Sequence, residues 1–230
     1  MLMSKLSVAM SCLAILLFAL PAMAQRNSSE YILLLASGFL CDPSDSSTCP
    51  ATVKADQGDS YEMSGAGTFN AQDKSVKAAG TFTHKSPNGN VLETGVWLAS
   101  ELVSFDSYGA APNALTRQGV GYSPRPMGPR RTPATTGPMP TGGLAVFHIR
   151  LLPLHGPSTN AVLQVNCALG EVPRERSVEG IRLRSERNDT EYAEEAGGRV
   201  MFLSMRPEVA TPAKTPNQET SPDISESPQN

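Results

Sequence analysis

The sequence predicts an all-β protein: a single antiparallel β-barrel or β-sandwich of about eight strands, with a Pro/Arg-rich insertion loop and a disordered C-terminal tail. Three observations carry this. Apolar and polar residues alternate with period two over most of the chain, which is how one face of an antiparallel sheet stays dry and the other wet. Glycine and proline are abundant, 19 of each in 230 residues, which punctuates the chain too often for a helical bundle. Yet 40% of the chain is hydrophobic, enough to build a core and too much for wholesale disorder.

Residues 1–24 read as a cleavable secretory signal. Lys5 begins it, an apolar run follows over 6–20, Pro21 ends the run, and Ala22-Met23-Ala24 offers small side chains for cleavage. The run falls short of the roughly 20 apolar residues that a membrane span needs. The mature chain is therefore expected outside the cytoplasm, secreted or periplasmic, with no membrane span once the signal is removed. Removal also takes Cys12 and leaves Cys41, Cys49 and Cys167. In an oxidising compartment, one bridge and one remaining thiol is the simplest accounting. The chain-entropy model gives about 2.6 kcal/mol for closing Cys41 to Cys49 and about 5 for a Cys41–Cys167 link. Pro43 and the polar filling of 42–48 suit a tight local loop, so the expected disulfide is Cys41–Cys49.

The folded body is expected at 25–206. Its first strand is a nearly continuous apolar run at 31–40, read as central and covered on both sides. Strands at 61–69, 75–84 and 91–105 follow, separated by 70–74 and by 85–90. The Asn88-Gly89 pair supplies the positive φ of a tight hairpin, and the three strands form a meander. Within 75–84, Val76, Ala78, Gly80 and Phe82 share one side while Lys77, Thr81 and Thr83 share the other. The pattern over 91–105 slips around Trp97, as a bulged strand would. After the insertion come 144–152, another continuous apolar run, then 161–169 and 181–184 with clear alternation. The stretch 188–196 fits a helix, with Asn188 or Asp189 as cap and Gly197 as stop, and equally a hairpin loop.

Seven prolines lie within 112–140 and five within 207–230. Neither stretch has apolar periodicity to offset the entropy of ordering. The first, 110–140, reads as a flexible insertion and the second, 207–230, as a disordered tail.

Chemistry is sparse. No nucleophile elbow, zinc-protease helix, Cys-x-x-Cys pair, phosphate loop or dinucleotide fingerprint appears. The histidines His84, His148 and His155 are not spaced as metal ligands, so no metal and no cofactor is expected. Cys167 falls on the dry side of its strand, where a thiol is inert. Asp42, Asp45, Asp56 and Asp59 lack a calcium-loop pattern and read as turn acids. Glu93 and Glu101 on one strand stand about 26 Å apart, too far for a glycosidase pair. With a net charge of −3, the chain has no basic field for specific nucleic-acid binding.

The functional expectation is a secreted, non-enzymatic β-domain with a binding or structural role at the cell envelope, its partner left open between an envelope component and a small apolar ligand. The alternative is a β-barrel carrying a small apolar ligand, or a small pocket enzyme. For that pocket the candidate lining is Trp97, Phe105 and Tyr108, with His84 as acid–base group. Arg117, Arg125, Arg130 and Arg131 in the insertion form a candidate anion-binding group.

Overall fold

A computed structural model describes residues 30–111, 138–187 and 189–205. They form one antiparallel sheet of ten strands: β1 (Glu30–Leu35), β2 (Ala51–Ala55), β3 (Ser60–Asn70), β4 (Val76–Lys85), β5 (Val91–Ala110), β6 (Met139–Pro153), β7 (Thr159–Cys167), β8 (Gly180–Ser185), β9 (Thr190–Gly197) and β10 (Val200–Ser204). Strands β2 to β9 pair in a closed ring, each with its sequence neighbour and β9 back onto β2. The sheet is therefore a barrel. β1 takes the edge of β3 beyond β2, β10 takes the edge of β6 ahead of β7, and the two pair with each other.

Local chemistry sets the meander. At the β3–β4 turn the Asn70 carboxamide accepts from Gln72 N at 2.8 Å, Asp73 accepts from Ser75 N at 2.9 Å, and Lys74 takes a left-handed φ of 62°. At the β4–β5 turn Gly89 has φ 79°, the conformation expected of Asn88-Gly89. These turns hold β3, β4 and β5 in a register that sets Gly65, Gly80 and Trp97 side by side.

The core is the bore of the barrel. Inward residues of every strand pack into one cluster, with Trp97, Phe147, Phe202, Tyr192 and Met63 almost fully buried. The Trp97 indole lies over the two glycines of its row, and its Nε1 donates to Ser64 O at 3.1 Å.

Several expectations are corrected. The 188–196 stretch is no helix: it is strand β9 from Thr190 on, because Tyr192 enters the bore while β2 and β8 take its backbone hydrogen bonds. The first strand ends at Leu35, where Ala36 adopts φ 40° and a short 3-10 turn, Gly38–Leu40, follows. β6 is not covered on both faces, since Ala145, Phe147, Ile149 and Leu151 are buried while Leu144, Val146 and Leu152 between them are half-exposed. β5 runs on to Ala110, and its bulges against β6 come after Trp97, at 99–101, 102–104 and 107–109. β7 stops at Cys167, short of 169. β2 occupies a stretch to which the period-two pattern assigns no strand. The borders of the 110–140 excursion are strand. The stretch 1–24 expected as a signal, the core of the expected insertion with Arg117, Arg125, Arg130 and Arg131, and 207–230, expected as a tail, lie outside the described residues.

Candidate functional site

One mouth of the barrel gathers the polar side chains. Pairing across β3, β4 and β5 aligns Tyr61 with His84 and His84 with Glu93. Asp59 precedes β3 in the turn from β2, Tyr192 enters from β9, and Arg187 arrives from the β8–β9 connection. Tyr61 stacks flat on the His84 imidazole, with centroids 4.4 Å apart and planes within 5°. Tyr192 meets Tyr61 edge-on at 4.9 Å. His84 Nε2 lies 3.4 Å from the Tyr192 hydroxyl and 3.7 Å from Asp59 Oδ2.

Burial governs the electrostatics here. It pushes the His84 pKa below the usual imidazole value, against the upward pull of Asp59 and Glu93, and Arg187 adds to the depression. It pushes the Tyr61 phenol up, and the neighbouring Tyr192 and Glu93 raise it further. His84 is thus a neutral ring at neutral pH, held among a carboxylate and two phenols.

Arg187 closes this mouth. Its Nε donates to Thr159 Oγ1 at 2.9 Å, Nη2 to Pro157 O at 2.9 Å and Nη1 to Glu93 Oε1 at 3.2 Å. One guanidinium therefore ties β5, the β6–β7 connection and β7 to the β8–β9 turn. The planar fork suits this task, since its donors reach three acceptors at once. Beneath it Tyr61 and Tyr192 are buried, so neither presents a ring face to solvent.

The four pocket candidates do not come together. His84 belongs to this mouth. Trp97 lies deeper in the bore, over Gly65 and Gly80. Phe105 packs with Tyr31, Phe69 and Phe202 at centroid distances of 4.6, 5.0 and 5.2 Å, where β1 and β10 join the barrel. Tyr108 lies near the far end of β5, about 50 Å of strand from Glu93. Its hydroxyl donates to Asn166 Oδ1 at 2.9 Å, and Asn166 Nδ2 donates to Arg176 O and Val178 O. Arg176 pairs with Asp106 at the same end. A concavity there is lined by Ser107, Tyr108, Gly109, Ala110 and Glu171.

Tyr61, Tyr192 and Arg187 were not singled out by the pattern. For Tyr61 a signal exists: pairing 61–69 with 75–84 across the turn sets it beside His84. Glu93 is hidden by a bulge, because the register shift between His84 and Lys85 sets Glu93 beside the imidazole where an unbroken hairpin would set Leu92.

Cys41 and Cys49 are disulfide-bonded, with Sγ–Sγ 2.04 Å. Cys167 is free and buried, and burial pushes its thiol up to about 12. Among the described residues, no three His, Cys, Asp or Glu side chains converge as a metal cluster, and no helix is long and apolar enough to cross a membrane. No family model, curated protein or solved structure matches the chain.

Proposed function

We propose that the chain works through its outer surface, as an exported binding or structural domain of the cell envelope. The observation that carries this reading is the filled bore. A barrel of eight strands has just enough interior for its own side chains or for one small ligand. Here Trp97, Tyr61, Phe82, Phe147 and Tyr192 occupy that interior, and Arg187 spans one mouth. The Cys41–Cys49 bond suits an oxidising compartment, and 1–24 supply the export signal.

Native mass spectrometry of the protein purified after export tests this, together with hydrolase and lyase substrate panels. The expected result is the bare polypeptide mass and no turnover. A co-purified small molecule, or reproducible turnover, overturns it.

A second reading draws on one observation, the neutral His84 between Asp59 and Tyr192. An imidazole so placed is chemically able to relay a proton to a small molecule at the mouth. That role requires Arg187 to release Glu93 and swing aside. Turnover or ligand binding that appears in wild type and is lost in His84→Gln is the result this second reading expects.

A further inference from the structure

Gln164 and Asn166, two apart on β7, face outward while Leu163 and Val165 between and beside them fill the bore. The Asn166 carboxamide is fully engaged: Oδ1 accepts from the Tyr108 hydroxyl, and Nδ2 donates to Arg176 O at 2.8 Å and to Val178 O at 2.5 Å. These bonds fix the β7–β8 connection, with its 3-10 turn Arg174–Arg176, against the outer wall of the barrel. The Arg176–Asp106 pair fastens it a second time. Between the connection and strands β6 to β9 lies a cavity of about 330 Å³, at the small end of the range for ligand pockets. Both arginines of its lining already have a carboxylate, Arg176 that of Asp106 and Arg182 that of Glu195, whose Oε1 accepts from Arg182 Nε at 2.9 Å. Glu175 has no partner among the described residues, so one negative charge of the lining is uncompensated. Glu195 Oε2 and the Gln164 carboxamide accept no hydrogen bond there either. The Glu195 side chain is only 14% exposed, and it folds over Gly180, where a Cβ would fall 3.0 Å from its Cγ.

We propose that this cavity binds a primary ammonium group on a short alkyl stem, the end of a lysine side chain or of a small free amine. Such a group has three N–H donors and no acceptor. The lining answers with three open acceptors: the Glu175 carboxylate, Glu195 Oε2 and Gln164 Oε1. An anion would meet the uncompensated charge of Glu175, and a neutral ligand would leave that charge unpaired as it displaced water. Leu144 and Val178 in the same lining suit the methylenes of the stem, which pack on apolar surface while the charged end keeps polar partners. Because Asn166 and Arg176 hold the connection in place beforehand, little ordering opposes binding.

The inference rests on the reading that the outer surface is the working part, and names what a partner offers it. The two fail separately: turnover or a ligand lodged in the bore defeats that reading and leaves the cavity its amine, whereas a cavity indifferent to amines leaves the bore filled. An affinity on the order of 1 mM, which is what so few atoms sustain, also releases a free amine during purification, so a bare mass accords with both. The test is NMR titration of the ¹⁵N-labelled full exported chain with n-butylammonium and with the peptide acetyl-Ala-Lys-Ala-amide. Both are expected to shift the amide signals of Gln164, Asn166 and 175–182, while butanol, butanoate and the Nε-acetyllysine form of the peptide leave them in place. Tighter binding of the peptide than of butylammonium supports a partner's lysine as the source, and equal binding supports a free amine. Glu175→Gln should weaken both at least fivefold, and Glu101→Gln, on β5 away from the cavity, should change neither. Amide dispersion outside the cavity checks that each variant is folded. No shift at these positions by about 10 mM ligand, tenfold above the expected constant, overturns the proposal. Equal shifts with butanol overturn it too, as does an affinity that Glu175→Gln leaves unmoved.

Discussion

The indole of Trp97 lies so close over Gly65 that a Cβ added there falls 2.4 Å from its ring carbon Cζ2. Trp97 needs that space, because an eight-stranded bore is narrow and a bicyclic ring fits only where neighbours on the adjacent strands have no side chain. Gly80, between them in the row, is under the same constraint, with a Cβ 2.6 Å from Nε1 and 1.9 Å from Ser64 O. Gly65→Ala should therefore lower stability by about 1–3 kcal/mol, the usual cost of overpacking. In a Trp97→Leu background the same change should cost less, though the Ala79 carbonyl at 2.5 Å keeps it unfavourable. Urea unfolding followed by far-UV circular dichroism measures the cycle. Equal costs in both backgrounds would show that the indole is not the obstacle.

His84 makes stability depend on pH. Its pKa is lower in the folded chain than the ordinary 6.5, chiefly through burial. Between those two values the unfolded chain binds more protons than the native one, so stability rises with pH across this window and is lost as pH falls below about 6.5. Urea midpoints from pH 5 to 7.5 should show this slope, and His84→Gln should flatten it. NMR titration of the ring should give a midpoint below that of a denatured control.

Arg187 contributes to that depression through its charge, so Arg187→Gln should raise the His84 pKa towards its ordinary value. The same substitution weakens the ties to Glu93, Thr159 and Pro157. A stability loss of about 1 kcal/mol is expected, since the guanidinium is partly solvated. An unmoved histidine titration would mean the guanidinium does not act on the ring.

Reduction of Cys41–Cys49 should destabilise the chain by about 2.6 kcal/mol, the closure entropy of so short a loop. The Cys41→Ser, Cys49→Ser double variant should match the reduced protein. Calorimetry of the three forms measures this.

Cys167 should behave in the opposite manner. With its thiol pushed up to about 12, it should react with a thiol reagent only at the rate of unfolding. Rapid labelling in native buffer would place it outside the core.

Period two made most of the sheet legible, because a strand with one wet face carries its own orientation: Phe82, Leu163, Val165 and Ile181 are buried as their alternation requires. It failed where a partner supplies the order. Thr190–Gly197 has the charges of a wet helix and becomes a strand because β2 and β8 take its hydrogen bonds on either side. The mouth was half visible. Tyr61 and His84 follow from one hairpin register, while Glu93 depends on a bulge and Arg187 on strands brought round by closure.

By itself the sequence determined an antiparallel all-β chain, its meander and its local Cys41–Cys49 loop, since alternation, turn residues and short loop length act between near neighbours. Only the tertiary structure decided that ten strands form one sheet closed through eight, that the bore is full, and that Arg187 reaches Glu93. Those relations join residues far apart in the chain, and their cost and reward appear only when β9 meets β2.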